Sequence, residues 1–250
     1  VEQMGILNHH VDYKQAQLIK VHAEMPSSSR PLYEVLATGV PSYRNGILTN
    51  ADGQHSKELS IFDLVKAAGG STAAAAHYWQ SELFNQAPYE IKRDRIQHDH
   101  KKSIQHGIFY SENQYPDSHV FADGHYLLHT YQPNLLLIHS MNIDAAGHRY
   151  TAVSKEYRKA VNQADQLIGL YLHDWLAAGY QVIVTADHGM DEYGLHGGSM
   201  AAHREVPLYI FSDIFPPDCG IEKMNQLELA PLICSLLKID TSERMQIGRS

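Results

Sequence analysis

Cysteine is nearly absent: Cys219 and Cys234 are the only two in 250 residues. Two thiols cannot build a disulfide framework, and these match no cysteine-based zinc spacing, so both are read as ordinary thiols. Long apolar runs are missing as well. Leu135–Ile138 and the aliphatics within 181–185 fall far short of the roughly 20 residues a membrane helix needs. Basic charge is in deficit, with 20 Lys and Arg against 28 Asp and Glu and a net charge of −8 with His neutral. That field disfavours nucleic-acid backbones and acidic membrane surfaces, so specific nucleic-acid binding is not expected. There is no Gly-Xaa-Ser-Xaa-Gly elbow, no Gly-rich lysine loop, no internal repeat and no low-complexity tract. The expectation is a soluble chain without a membrane segment, with the cytoplasm as default compartment and the oligomeric state left open. The start at Val1 rather than Met suggests that an upstream signal or an upstream piece of the fold has been removed.

The composition is 44% hydrophobic, enough for one large core, and no linker divides the chain, so one domain over 1–250 is expected. Short aliphatic or β-branched runs alternate with segments of helical period. This is the pattern of an α/β fold: a mostly parallel central sheet with helices on both faces, three layers in all. Strands are expected over 16–21, 71–76, 134–139, 181–185 and 207–211. Helices are expected over 31–38, 61–68, 118–131, 153–177 and 226–237. In the longest, Val153, Tyr157, Val161, Ala164, Ile168, Tyr171 and Trp175 recur every three or four residues and mark a core-facing stripe. Residues 85–118 are polar and aperiodic, and read as an excursion capping the sheet edge. The 17 histidines stand out, but His98, His100, His106, His119 and His125 sit in polar stretches and read as surface residues.

The strongest local signal is Thr185-Ala186-Asp187-His188-Gly189-Met190, directly after an aliphatic strand. Ligands of open α/β sheets collect at the carboxyl ends of strands. A second strand leads into Asn142-Ile143-Asp144-Ala145-Ala146-Gly147-His148, and His196 follows in a Gly-rich loop. Carboxylate oxygen and imidazole nitrogen, without cysteine, form a donor set suited to zinc, less so to manganese or iron. A Ser-His-Asp triad does not fit, because Asp187 and His188 are adjacent and cannot orient one another as a triad requires. Ser27, Ser28 and Ser29 precede a helix starting near Pro31, where a hydroxyl serves equally as an N-cap or as a nucleophile beside helix amides that favour phosphate. Local chemistry leaves that choice open.

Taken in order, Ser29-Arg30-Pro31 through Thr38-Gly39, Gly46-Ile47 through Asn50, Asp144 through His148, Asp187-His188-Gly189-Met190, His196-Gly197-Gly198 and Val206-Pro207-Leu208 resemble the alkaline phosphatase superfamily, in particular its nucleotide pyrophosphatase/phosphodiesterase branch. The resemblance covers most of the chain. It implies an alkaline phosphatase-like fold and selects Ser29 as nucleophile, since the family's nucleophile stands nine residues before the Thr of the Thr-Gly pair. It places Asn50 on a nonbridging phosphate oxygen. It also implies two divalent ions, zinc-like: one held by Asp144, His148 and His196, the other by Asp187 and His188 and in contact with Ser29. His203 falls in a variable stretch and is not carried over. The family's further aspartate, at the end of its first strand, has no counterpart here, so the chain is expected to begin inside the domain and lack that strand. The implied activity is hydrolysis of phosphodiesters or nucleotide pyrophosphates through a phosphoserine intermediate, on a small phosphorylated substrate. Open alternatives are a catalytically weak metal-binding relative, a phosphomonoesterase or phosphonate hydrolase, and a phosphomutase on the same fold.

Overall fold

The computed structural model describes residues 2–217 and 219–245. In chain order its elements are α1 (Gly5–Asp12), β1 (Gln17–His22), α2 (Ser29–Thr38), α3 (Ser42–Asn45), α4 (Ile61–Ala67), β2 (Thr72–His77), α5 (Trp79–Phe84), α6 (Ile91–Asp94), β3 (Ile96–His98) and β4 (His106–Tyr110). They continue with α7 (Asp117–Tyr131), β5 (Leu135–Ile138), α8 (Asn142–Tyr150), α9 (Lys155–Ala177), β6 (Val182–Thr185), α10 (Ala201–Arg204), β7 (Glu205–Phe211), β8 (Lys223–Asn225) and α11 (Leu229–Leu237). The elements form two compact units, each discontinuous in sequence. The first combines the N-terminal segment through Ser27 with Ile143–Gln226, and the second combines Ser28–Asn142 with the chain from Leu227 onward.

Each unit has one four-stranded sheet among the described residues, ordered β6-β7-β1-β8 in the first and β3-β4-β2-β5 in the second. The parallel pairing expected from the sequence holds for β2 with β4 and β5, and for β1 with β8. By contrast, β7 is antiparallel to β1 and β6, and β3 is antiparallel to β4. Neither antiparallel neighbour in sequence is reached through a long helical crossover, which parallel pairing would require.

In the second unit β2 is buried along its whole length. Alternation sends Ala74 and Ala76 to one face, among Tyr33, Phe62, Leu83 and Phe84, and Ala73 and Ala75 to the other, among Ile108, Tyr110, Val120 and Leu127. Helices α2, α4 and α11 cover the first face and α7 the second, so this unit is itself a three-layer αβα arrangement. The alanines let the layers approach. At Gly124 of α7 a Cβ would lie 2.5 Å from Ile138 Cδ1, so only glycine permits that contact with β5.

Residues 85–118, polar and aperiodic in sequence, contain regular structure. They supply β3 and β4, and β4 is buried throughout and pairs with β2. Polar side chains are buried here by bonding one another: Asn85 Nδ2 donates to Gln97 Oε1 at 2.6 Å, Gln97 Nε2 donates to Ser81 Oγ at 2.9 Å, and Ile104 N donates to Asn85 Oδ1 at 2.8 Å. Satisfied amides can be interior. His106, expected at the surface, is buried and stacks on Tyr131 with ring centroids 3.8 Å apart.

In the first unit α9 starts two residues later than its apolar stripe suggests. Ser154 Oγ accepts from Tyr157 N at 3.1 Å and caps the helix, leaving Val153 outside it and exposed. Ala164, Ile168, Leu172 and Trp175 form the buried face. Between the first two, Asp165 is also buried and accepts from Ile6 N at 2.8 Å and Leu7 N at 3.1 Å, satisfying two amides in the first turn of α1.

Helix α2 carries a buried acid, Glu34, whose carboxylate accepts a hydrogen bond from Ser56 Oγ. Burial pushes its pKa from 4.5 up to about 8; the Ser56 bond opposes this, and the charges of Glu58 and Asp63 add to it. Because the folded value is the higher, the favourable contribution of neutral Glu34 is complete below pH 4.5 and is lost as pH rises towards and through 8. Glu34→Gln is therefore expected to match the parent protein in urea unfolding at pH 5 and to exceed it at pH 9 by up to roughly 4 kcal/mol. Equal stability differences at both pH values would contradict this.

Candidate metal centre

Three expected ligands meet within the first unit. Asp144 and His148 occupy positions i and i+4 of α8, so they project from one face of a helix rather than from the loop that the sequence suggests after a strand end. Gly147 lets this helix pack closely, since a Cβ there would sit 2.7 Å from Met190 Cε. His196 comes from the loop between β6 and α10. Among three atoms the separations are 3.1 Å for His148 Nε2 to His196 Nε2, 3.5 Å for His148 Nε2 to Asp144 Oδ1, and 3.7 Å for His196 Nε2 to Asp144 Oδ1. Ligands about 2.1 Å from a tetrahedral ion are about 3.4 Å apart, so this triangle has the size of one face of a zinc coordination sphere. Among the described residues it is the group of three potential ligands that meets this condition.

The proton positions suit the same use. His148 Nδ1 bonds Gly194 O at 2.9 Å and His196 Nδ1 bonds Ser27 O at 2.8 Å. A carbonyl only accepts, so both Nδ1 atoms carry the hydrogen and both Nε2 lone pairs face the triangle, the orientation typical of metal-bound imidazole. Burial, followed by the neighbouring His188, holds the His196 pKa below its ordinary value and favours the neutral ligand form. Asp144 Oδ1 is buried with no hydrogen-bond donor. A buried carboxylate oxygen in that state is costly without a cation, so the residues present fit a divalent metal.

Asp187 and His188 follow β6, as expected, with Asp187 Oδ2 3.3 Å from His188 Nε2. His188 Nδ1 bonds Gly189 O at 3.0 Å, again turning Nε2 inward, and its ring stacks on His196 with centroids 3.8 Å apart. Gln226 Nε2 donates to Asp187 O at 2.7 Å and steadies this turn. The pair has the chemistry of a partial second site next to the first. His203 stays outside both sets, with its ring nitrogens bonded to Gly198 N and Asp191 Oδ2, each at 3.0 Å.

The second unit organises Ser29 and Asn50. The three serines have separate roles: Ser27 Oγ donates to Gly198 O at 3.1 Å within the first unit, Ser28 stands at the N-cap position of α2 without a side-chain cap bond, and Ser29 is the first helical residue and is buried. Arg30 N donates to Asn50 Oδ1 at 3.0 Å, which draws Asn50 to the N-terminus of α2 with its Nδ2 left to donate. Arg30 itself was not identified from sequence. Its guanidinium pairs with Glu82 at 2.7 Å, lies 4.7 Å above the Trp79 ring and donates to Asp52 O at 3.2 Å. Tyr33, His77 and Trp79 pack as a buried or half-buried aromatic group beside the sheet, with His77 4.8 Å and Tyr33 6.2 Å from the Trp79 ring. Burial pushes the His77 pKa down to about 3, so its ring is neutral.

A family model described as type I phosphodiesterase/nucleotide pyrophosphatase matches residues 14–200. The chain belongs to this family. Its fold is similar to that of murine ectonucleotide pyrophosphatase/phosphodiesterase 5, with a TM-score of 0.77 at 13% identity over 99% of this chain and 92% of that one. That similarity establishes the alkaline phosphatase-like α/β fold. An inactive form of the same murine protein, solved in complex with AMP, gives a TM-score of 0.75 at 13% identity over 98% and 91% of the two chains. Among curated proteins, the chain is 34% identical over 76 residues to ectonucleotide pyrophosphatase/phosphodiesterase family member 7 of Homo sapiens, covering 28% of this chain and 16% of that protein. It is 30% identical over 141 residues to the catalytic subunit of GPI ethanolamine phosphate transferase 3 of Mus musculus, covering 52% and 13% respectively. The chain thus spans less than a fifth of these two curated relatives. No described helix is long and apolar enough to cross a membrane.

Proposed function

We propose that the protein is a metal-dependent hydrolase of phosphodiesters or nucleotide pyrophosphates that works through a phosphoserine at Ser29. The observation that carries the reading is the ligand triangle of Asp144, His148 and His196, with spacings of 3.1, 3.5 and 3.7 Å, in a chain of the phosphodiesterase family. Asp144, His148 and His196 would hold one zinc-like ion, and Asp187 and His188 would contribute to a second. Bound there, such ions would supply Lewis acidity, lowering the pKa of a hydroxyl and neutralising charge on phosphoryl oxygens.

The protein's own groups carry the remaining steps. Ser29 Oγ attacks phosphorus, the leaving alcohol or nucleotide departs with its oxygen, and water then cleaves the phosphoserine ester. Asn50, held at the start of α2 by its bond from Arg30 N, donates through Nδ2 to a nonbridging oxygen. The amides opening α2 favour the same anion. A small phosphorylated substrate of nucleotide type is supported by the AMP complex of the murine relative. Hydrolysis of a chromogenic phosphodiester, faster than that of the matching monoester and abolished by a chelator, is the expected result. Activity undiminished after complete metal removal would refute the reading.

The matches to ethanolamine phosphate transferases favour one second reading, in which an organic alcohol replaces water as acceptor. Product that forms only when such an acceptor is added would select it.

A further inference from the structure

The loop that carries His196 is held by a buried pair that donates no ligand. Asp191 and His203 stand at either end of it, both almost inaccessible to solvent. Asp191 Oδ1 accepts from Tyr193 N at 2.9 Å and from Leu195 N at 2.8 Å, the amide immediately before His196. Gly198 N, two residues after His196, donates to His203 Nδ1 at 3.0 Å. The two side chains are then joined, His203 Nε2 to Asp191 Oδ2 at 3.0 Å. Gly189 N closes the base of the loop on His203 O at 2.8 Å.

The proton pattern separates this histidine from the ligands. At His148, His188 and His196 a carbonyl takes the Nδ1 hydrogen and leaves Nε2 to coordinate. At His203 a backbone N–H points at Nδ1, so Nδ1 must accept and the ring hydrogen must sit on Nε2, facing Asp191. His203 therefore has no lone pair to offer a metal. It fixes where the backbone runs on either side of one that does.

Resting on the metal reading above, we propose that Asp191 and His203 are positioning residues: together they bracket His196 and set its Nε2 in register with His148 and Asp144 before the ion arrives. Outer partners that orient metal ligands commonly contribute about tenfold to a hundredfold in metal affinity, and this pair belongs with them although it acts through the loop rather than on the ring. Asp191→Asn is the sharpest perturbation. The new Oδ1 still accepts from Tyr193 and Leu195, but its Nδ2 meets the Nε2 hydrogen of His203, donor against donor. His203 then either loses this bond or moves its proton to Nδ1 and loses Gly198.

The test is zinc titration of the full chain against a chromophoric chelator, with parent, Asp191→Asn, His203→Ala, His203→Asn and His196→Ala compared, and thermal unfolding of the metal-free forms as the control for folding. Long-range proton–nitrogen NMR spectra of the parent should show the Nε2–H tautomer for His203 and the Nδ1–H tautomer for the ligand histidines. Asp191→Asn and His203→Ala should weaken zinc at one site by about tenfold to a hundredfold and leave any second site unchanged. His203→Asn, whose Oδ1 can accept from Gly198 N, should recover part of the loss. If His203→Ala fails to fold, Asp191→Asn decides. Parent-like zinc affinity in a folded variant, where His196→Ala loses the metal, overturns the positioning role alone. Absence of zinc from the parent itself overturns the metal reading and this inference with it.

Discussion

Ser29→Ala is expected to reduce turnover by about four orders of magnitude or more while zinc uptake at the Asp144 triangle stays at the parent level. The size follows from the chemistry: without the hydroxyl no phosphoserine forms, and losing a covalent nucleophile typically costs that much even when the rest of a site survives. The selectivity follows from the fold. Ser29 opens α2 and contributes none of the three triangle atoms. Alanine suits a helical position at least as well as serine, so a folding defect is not expected to obscure the result. Initial rates on a chromogenic phosphodiester, measured alongside elemental analysis, check both halves. Parent-like rates in this variant would remove Ser29 from the mechanism, whereas loss of metal along with activity would show that the serine has a different place in the site.

The second large effect comes from Asp144→Ala, and its signature is a change of sign with metal. In the metal-free protein the buried Asp144 Oδ1 has no hydrogen-bond donor, a state that costs about 1 kcal/mol or more. Removing the carboxylate should therefore leave the metal-free melting temperature unchanged or raise it. With zinc present at about 100 times its dissociation constant, the parent gains about 2.7 kcal/mol by mass action, and the variant should gain far less at this site. Activity should fall by at least about a hundredfold, as the ion and its stabilisation of the transition state are lost together. Thermal unfolding with and without zinc reads both signs. A variant destabilised without metal, and stabilised by zinc as much as the parent, would show that Asp144 is structural.

The features legible in the sequence are those that burial writes as a pattern. β1, β2, β5, β6 and β7 are aliphatic or small-residue runs, and all fall within about two residues of the expected strands. The Asp187-His188-Gly189 turn was legible because an apolar strand leads directly into it. Other elements depend on partners distant in sequence. Residues 85–118 look polar because Asn85 and Gln97 are buried by bonding one another, a pairing no local period records. Helix α8 has Gly147 near its centre and little apolar stripe, so its helicity was not legible; the Met190 side chain packs against this glycine. That helix turns Asp144 and His148 into an i, i+4 pair. The roles of Arg30, Asp191 and His203 were likewise invisible, because each is defined by hydrogen bonds and ion pairs made after folding. The candidate ligands could be named from the resemblance, whereas the proton arrangement around them required side-chain positions.

The central claim is that Asp144, His148 and His196 coordinate a single divalent ion. Diffraction from zinc-saturated crystals on either side of the zinc absorption edge tests it most directly. The expected result is an anomalous peak about 2.0–2.2 Å from Asp144 Oδ1, His148 Nε2 and His196 Nε2. Zinc-saturated crystals with no anomalous density at that triangle would contradict the claim.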